Sequence, residues 1–320
     1  MMSAFRAVFC ALIYLALSQI AHSQTVLTSS SVTSGPATVG GGCAGTHTGF
    51  PVRICGTGSF QLGANLSSSI ANSIEIIGSN VTLDLNGFTV SQFAPTCTPS
   101  FSAPFGNSCT GSGGSGFGIY SSGTSVTVKN GAVNNVNGTC ISLGGDGSVI
   151  ENVTVRSCAG DGIDLNGIGK NLTAEANLFS GIVLNSGSLD SSTAANNNTD
   201  GIELLSTPGL LQNSTANYNK SHGVYDISSA QINNVTASQN GTGIDVEGHG
   251  HVFNSTASSN TNAGVNFTAA GDVSNTASFN NGTYGFNLSA STCYLNVTTS
   301  GNASGSINGG TTFSSGVCAH

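Results

Sequence analysis

Asn234-Val235-Thr236-Ala237-Ser238-Gln239-Asn240, followed by Gly241-Thr242 and then Gly243-Ile244-Asp245-Val246, is one copy of a phrase that returns from residue 152 onward about every 21 residues. Its glycines fall at Gly162, Gly181, Gly201, Gly223, Gly243, Gly264 and Gly285, in steps of 19, 20, 22, 20, 21 and 21. Its threonines keep the same beat at Thr154, Thr173, Thr193, Thr215, Thr236, Thr256, Thr276 and Thr298. A fixed period in this range means stacked supersecondary units, each too small to bury its apolar face without neighbours.

Within each copy the apolar residues alternate with a period of two. Ile163 and Leu165 point one way and Asp164 the other, and the inward pair recurs as Ile182/Leu184, Ile202/Leu204, Ile244/Val246, Val265/Phe267 and Phe286/Leu288. Val235 and Ala237 read as inward around an outward Thr236, and Ile232, Val252 and Val273 add a third apolar touch. Three short strands per turn with no helical segment predict an all-β solenoid. A leucine-rich horseshoe shares the period, but its L-x-x-L-x-L spacing is absent.

These repeats, with the opening phrase Val81-Thr82-Leu83-Asp84-Leu85-Asn86-Gly87-Phe88, resemble the right-handed parallel β-helix family of pectate-lyase-like proteins. The resemblance covers roughly residues 80–310 and is specific for fold rather than activity. It implies an internal asparagine ladder at one corner, formed by Asn177, Asn197, Asn219, Asn240, Asn260, Asn280 and Asn302. Many relatives cut or modify sugar polymers, so the implied partner is a polysaccharide or a cell-surface glycan.

The ends depart from the rhythm. Arg6, the apolar stretch Ala7–Leu17 and the small residues around Ala21 and Ser23 have the layout of a secretory leader over residues 1–23, too short to span a bilayer. Residues 24–79 are expected to cap the helix, which runs over 80–310; residues 92–117 are expected to form an inserted loop, and 289–320 a C-terminal cap overlapping the last coils. Without Cys10 eight cysteines remain, an even number that favours disulfides in an exported chain. Local pairing gives Cys43–Cys55, Cys97–Cys109, Cys140–Cys158 and Cys293–Cys318. Fourteen acids stand against six bases, a net charge of −8. That balance repels nucleic acid and anionic membrane, which need clustered Lys and Arg.

Used as a ruler, the period gathers Asp161 and Asp164, Asp200 and Glu203, His222 and Tyr225, and Asp245 on one outward face. Glu203 and Asp245 flank Tyr225 from two turns apart, with backbones about 9–10 Å apart by the strand spacing of ~4.8 Å. Inverting glycosidases hold two carboxyls about 6.5–9.5 Å apart. The candidate site is therefore Asp200, Glu203, His222, Tyr225 and Asp245, with no cofactor. Outward positions of any soluble solenoid also collect polar residues, so a non-catalytic surface or adhesion solenoid is the competing reading. A third is a calcium-dependent lyase, with oxygens from Asp200, Glu203 and Asp226 and Lys220 as base.

Asp226 occupies the inward slot of Leu204 and Val246, in the longest repeat. Either a bulge swings it onto the acidic face or the insertion has no functional meaning. Two fragments imitate polygalacturonases, Asn198-Thr199-Asp200-Gly201 and Gly248-His249-Gly250, but His249 is out of register with Asp200. The Asn and Thr of the N-x-T triplets are read as parallel outward rows, suited to a repetitive partner such as crystalline polysaccharide or ice. The same triplets are glycosylation acceptors in a eukaryotic source.

Overall fold

The computed structural model describes residues 25–28, 38–39, 49–69, 72–92, 96–102, 105–110, 115–206 and 209–312. Among them 32 strands join one continuous, coiled sheet, with a separate two-stranded hairpin. The result is a parallel β-solenoid of about 11 turns with about 21 residues per turn. The leader expected over 1–23 lies outside the described residues.

Each turn contributes three strands, so three sheets run the length of the coil. One carries Ile202–Leu204, His222–Asp226, Thr242–Val246 and Val265–Phe267; this is the glycine sheet, after the residue that opens each strand. A second carries Leu210–Gln212, Gln231–Asn233 and His251–Phe253. The third, the threonine sheet, carries Thr173–Glu175, Thr193–Ala195, Thr215–Asn217, Thr236–Ser238 and Thr256–Ser258. Parallel pairing starts upstream of residue 80, where Val52–Ile54 pairs with Asn72–Ile76 and Thr25–Leu27 with Gly58–Leu62.

Parallel register turns the sequence period into columns of like side chains. Ile163, Ile182, Ile202, Val224, Ile244 and Val265 stack in the interior. Leu189, Leu211, Ile232, Val252 and Val273 form a second stack, and Ala174, Ala194, Ala216, Ala237 and Ala257 a third. All are buried, and each larger aliphatic side chain contributes about 1.5–3 kcal/mol by leaving water. The alanines are small for a reason: the asparagine ladder occupies the same corner.

That ladder comprises Asn177, Asn197, Asn219, Asn240, Asn260, Asn281 and Asn302. The Oδ1 of each rung accepts from the side-chain amide of the rung before, at 2.8–3.3 Å. It also accepts that rung's backbone N–H, at 2.9–3.1 Å. The second amide proton reaches an inward backbone carbonyl, as Asn219 Nδ2 does to Ala194 O at 3.1 Å. The repeat glycine makes room for it. A Cβ on Gly201 would lie 2.5 Å from Asn219 Nδ2 and 2.6 Å from Gly223 O.

One predicted rung is corrected, because Asn281 and not Asn280 joins the ladder. Thr256 pairs with Ala277 rather than Thr276, so this copy is displaced by one residue. Thr276 moves into the column of Ser255, whose backbone N–H it accepts at 3.4 Å. Asn280 instead takes a left-handed corner with φ 55°.

The N-x-T reading is also corrected. The threonines do stack outward, from Thr154 through Thr173, Thr193, Thr215 and Thr236 to Thr256. Their asparagines do not share that strand. Asn152, Asn171, Asn213, Asn234, Asn254 and Asn296 sit at a corner with φ between 49° and 54°, a conformation that asparagine tolerates better than most residues. Several donate along the axis to the previous rung, as Asn234 does to Asn213 at 2.8 Å. Backbone geometry therefore explains the recurring asparagine.

Cys140 and Cys158 form the expected disulfide. Cys55 and Cys293 are also disulfide-bonded, and the partners expected for them, Cys43 and Cys318, lie outside the described residues. Within 92–117 the chain forms an antiparallel hairpin, Thr96–Ser100 with Gly106–Thr110, in which Cys97 stands opposite Cys109 in backbone register.

Asp226 does not swing outward. It stays in its column between Leu204 and Val246 at 0% exposure. Its Oδ1 accepts from the backbone N–H and hydroxyl of Ser228 at 2.8 and 2.7 Å, and its Oδ2 from the N–H of Ala230 at 3.0 Å. A buried carboxylate is tolerated when donors surround it; here it organises the turn into the second sheet.

Replacing Asn281 with Ala removes the acceptor of the Asn260 N–H and amide, leaving buried donors unpaired, and is expected to destabilise by about 2–4 kcal/mol. Asn280→Gly, at a corner that glycine adopts freely, is expected to stay within about 0.5 kcal/mol. Urea denaturation distinguishes them, and equal losses would contradict the corrected register.

Candidate active site

All five predicted site residues lie on the outer side of the glycine sheet. Asp164, Val183, Glu203, Tyr225, Asp245 and Asn266 occupy successive rungs of one column. Three residues earlier in each turn run Asp161, Ser180, Asp200 and His222, just before the repeat glycine, and His222 pairs with Thr242. The strand places both columns on one face, because residues two apart share a side and the residue before the glycine ends the preceding corner. No two acids occupy adjacent rungs of either column.

His222 is the centre of this face. Its Nδ1 lies 2.8 Å from Asp200 Oδ1 and its Nε2 3.3 Å from Asp245 Oδ2, so one imidazole bridges carboxylates of the turns before and after it. Asp200 Oδ1 also accepts the His222 backbone N–H at 2.9 Å, which fixes the ring's base. The ring stacks on Tyr225 at 4.9 Å between centroids and 18° between planes. Asp245 Oδ1 accepts from Asn266 Nδ2 at 2.7 Å. The Tyr225 hydroxyl donates to Glu247 at 2.9 Å.

Glu203 is held differently. Its Oε2 accepts from Ser180 Oγ at 3.2 Å, and Ser180 Oγ also contacts Thr199 Oγ1 at 2.9 Å. The Ser180 N–H donates to Asp161 Oδ1 at 3.0 Å. Only neutral donors therefore touch Glu203, whereas Asp245 faces an imidazole.

The electrostatics follow from crowding. Burial, then the charge of Asp200, pushes the Glu203 carboxyl above its ordinary value, and the Ser180 bond offsets this in part. Burial likewise raises Asp161, with Asp164 and Asp200 adding to it. It raises Asp245 too, against the opposing effects of Asn266 and His222. For His222 burial disfavours the charge, but the bond to Asp200 and the charges of Asp200, Asp245 and Glu247 outweigh it, so the imidazole is held above its usual range. Tyr225 is pushed up to about 12 by burial and by Glu247. Several perturbed groups on one face mark a functional-site candidate.

Cations elsewhere on the coil stand beside acids. Arg53 pairs with Glu75 and Arg156 with Glu175. Lys129 and Lys170 alternate with Asp84, Glu151 and Asp190 on successive rungs of the second sheet. On the acidic face, among the described residues, His222 is the only basic side chain within ion-pair distance of an acid. The oxygen set considered for calcium is not assembled, because Asp226 faces the core while Asp200 and Glu203 face outward. Lys220, the base of that reading, packs its Cβ towards Gly106 of the hairpin.

Sequence reasoning missed Glu247. It lies two residues beyond Asp245, so the period-two rule would have placed it on the same side. It also missed the hairpin's approach to this region, where the rings of Phe101 and Phe105 meet Tyr218 edge-on at 5.3 and 5.8 Å. No signal in the sequence indicates where that insertion lands.

Residues 115–283, more than half of the chain, match the family described as the right handed beta helix region. The chain belongs to this right-handed β-helix family. No curated protein sequence matches this β-helix protein. Among solved structures, the catalytic unit of a thermostable GH87 α-1,3-glucanase from Streptomyces thermodiastaticus is similar at a TM-score of 0.52 and 16% identity, covering 88% of this chain and 59% of that one. The A-module of a mannuronan C-5 epimerase from Azotobacter vinelandii gives a TM-score of 0.45 at 16% identity, over 81% of this chain and 91% of that one. A pectate lyase gives 0.44 at 14% identity, over 71% and 70%. At these identities the likeness is one of fold. No helix among the described residues is long and apolar enough to cross a membrane.

The raised groups set the sign of the pH dependence. Asp161, Glu203 and Asp245 hold protons in the folded chain that the unfolded chain releases above about pH 4, so stability falls as pH rises from there. His222 contributes stability that is complete below about pH 6.5 and is lost as pH climbs through its raised folded value. Thermal unfolding followed from pH 4 to 8 should show a falling midpoint, and His222→Asn should flatten the upper part of the fall. A midpoint that climbs across the window contradicts these assignments.

Proposed function

We propose that the protein is an extracellular polysaccharide-acting β-helix whose acidic face holds the glycan, with Glu203 as proton donor and Asp245 as its partner carboxylate. The observation that carries this reading is the column Glu203–Tyr225–Asp245, on three consecutive rungs of one face. Two rungs separate their backbones by about 9–10 Å along the axis, a spacing from which the side chains can bring the carboxyls within the range of about 6.5–9.5 Å that admits a water beneath a sugar ring. Acid and base roles are assigned where environments drive two carboxyls apart. Burial and the charge of Asp200 raise Glu203, which favours its protonated form; burial raises Asp245 as well, but its contacts with Asn266 and His222 oppose that rise.

In the corresponding reaction Asp245 takes a proton from water as the water oxygen bonds to the anomeric carbon. The glycosidic C–O bond breaks, and its oxygen leaves with the proton of Glu203. His222 and Asn266 orient Asp245 throughout, and Asp200 orients His222.

Charge selects among polymers. The face carries Asp161, Asp164, Asp200, Glu203 and Asp245 without a pairing lysine or arginine among the described residues, so a neutral or amino-bearing glycan suits it better than a polyuronate. The structurally similar glucanase, named for a glucan, is in keeping with this. The leader expected over residues 1–23 supports an extracellular setting.

A second reading, glycan binding without turnover, is favoured by one observation. Both Asp245 oxygens already have partners, Asn266 and His222.

The parent protein is expected to release reducing ends from a neutral glucan or chitosan within a panel that also contains polygalacturonate and alginate. Glu203→Gln should lower kcat about 10²–10⁴-fold, the usual contribution of a general acid, with KM little changed. Binding without cleavage would leave the second reading. If no polymer is bound or cleaved, or polyuronates are preferred, the proposal fails.

A further inference from the structure

The hairpin inserted between strands Thr89–Gln92 and Phe117–Ser121 does not stay beside the turns that emit it. Ser91 is followed on successive rungs of the threonine sheet by Asn134, Arg156, Glu175, Ala195 and Asn217. Tyr218, which both hairpin phenylalanines touch, thus lies five rungs away, about 24 Å at the strand spacing. Gly106 seats the hairpin. Its φ is 110°, and a Cβ there would come 3.0 Å from Lys220 Cβ and 3.2 Å from Asn197 O.

The landing point adjoins the acidic face. Tyr218 precedes His222 by four residues, and Lys220 by two. Tyr218 occupies a left-handed corner, φ 59°, where other turns carry Ala176, Asn196, Gln239 or Ser259. The corner is the same in these turns; what differs at Tyr218 is a ring that meets the hairpin phenylalanines.

Two aromatic rings near this corner remain in water. Phe101 is 61% exposed although its ring makes a T-shaped contact with Tyr218, and Phe179 is 50% exposed. Phe179 immediately precedes Ser180, whose hydroxyl reaches Glu203. The inserted segment 93–116 contains Phe, Ser, Thr, Asn, Pro and Gly but no Asp, Glu, Lys or Arg. Exposed apolar surface gathered beside a polar face marks a binding surface, and aromatic faces with a few polar groups are the usual lining of ligand sites.

We infer that Phe101 and Phe179 are stacking platforms for pyranose rings of a neutral or amino-bearing glycan lying along the acidic face, and that the hairpin is part of the binding surface. This rests on the reading that the face binds polysaccharide. The apolar C–H side of a pyranose covers an exposed aromatic face, while its hydroxyls remain free for the carboxylates. The uncharged hairpin adds contact area without adding charge selectivity, which stays with the glycine sheet.

The test uses the full chain and two probes, a glucose hexamer and a glucosamine hexamer, in titration calorimetry. Phe101→Ala and Phe179→Ala are each expected to weaken binding about five- to tenfold, in line with one aromatic contact, and Phe179→Ala leaves the thermal midpoint unchanged. Phe101→Trp should retain parental affinity. Gly106→Val, which unseats the hairpin, should reproduce the loss of Phe101→Ala. If the parent binds a hexamer and both alanine variants bind it equally well, this inference is overturned while the polysaccharide reading stands. If the parent binds neither hexamer, this inference falls, and the polymer panel decides the polysaccharide reading.

Discussion

The rest of the molecule depends on the buried amide stack at one corner of the coil. A solenoid this thin has a core only a few side chains wide, and its corners must turn without leaving backbone donors unpaired. The ladder asparagines do this from inside. Each carboxamide binds the backbone and side chain of the rung before it and an inward carbonyl, so every turn is fixed to its neighbours at the strand spacing. The alanine column, the repeat glycine and the position of the glycine sheet follow from the volume that the amide takes. The acidic face is in turn positioned by that sheet.

Much of this was legible in the sequence because a stacked fold writes its geometry as periodicity. Period two separated inward from outward residues, and the 21-residue beat placed Glu203, Tyr225 and Asp245 on successive rungs. Where the beat slipped, the sequence misled. In this copy Thr276-Ala277-Ser278-Phe279-Asn280 keeps the spelling of the phrase's second half, but Asn275 stands directly before Thr276 and the strand pairing moves by one, so Asn280 looked like a rung that Asn281 occupies. Pairing is decided by which residues best fill the interior and satisfy the ladder, a three-dimensional criterion that spelling does not express. The outward swing considered for Asp226 failed in a related way. An acid in an apolar column suggested a bulge, but three donors from the following turn make the inward position tenable.

Contacts across rungs were legible in position but not in kind. Two carboxylates and a histidine on one face could have been a loose polar surface. Instead the imidazole links the turns on either side of it, leaving Glu203 bonded to a serine hydroxyl and Asp245 facing the imidazole. That asymmetry arises from side-chain reach, which a ruler along the axis cannot supply. The same limit hid Glu247 and the destination of the hairpin.

The hairpin also alters how the coil comes apart. In a solenoid each turn touches only its neighbours, so stability spreads as a chain of nearest-neighbour links and the end turns open first. A contact from the rung of Ser91 to Tyr218 spans five such links. The intervening turns cannot fray one at a time while that contact holds, since each would have to part from neighbours bridged from outside. The stretch from the early coil to the acidic face therefore opens as one cooperative unit, and the turns beyond Tyr218 remain free to unzip from their own end.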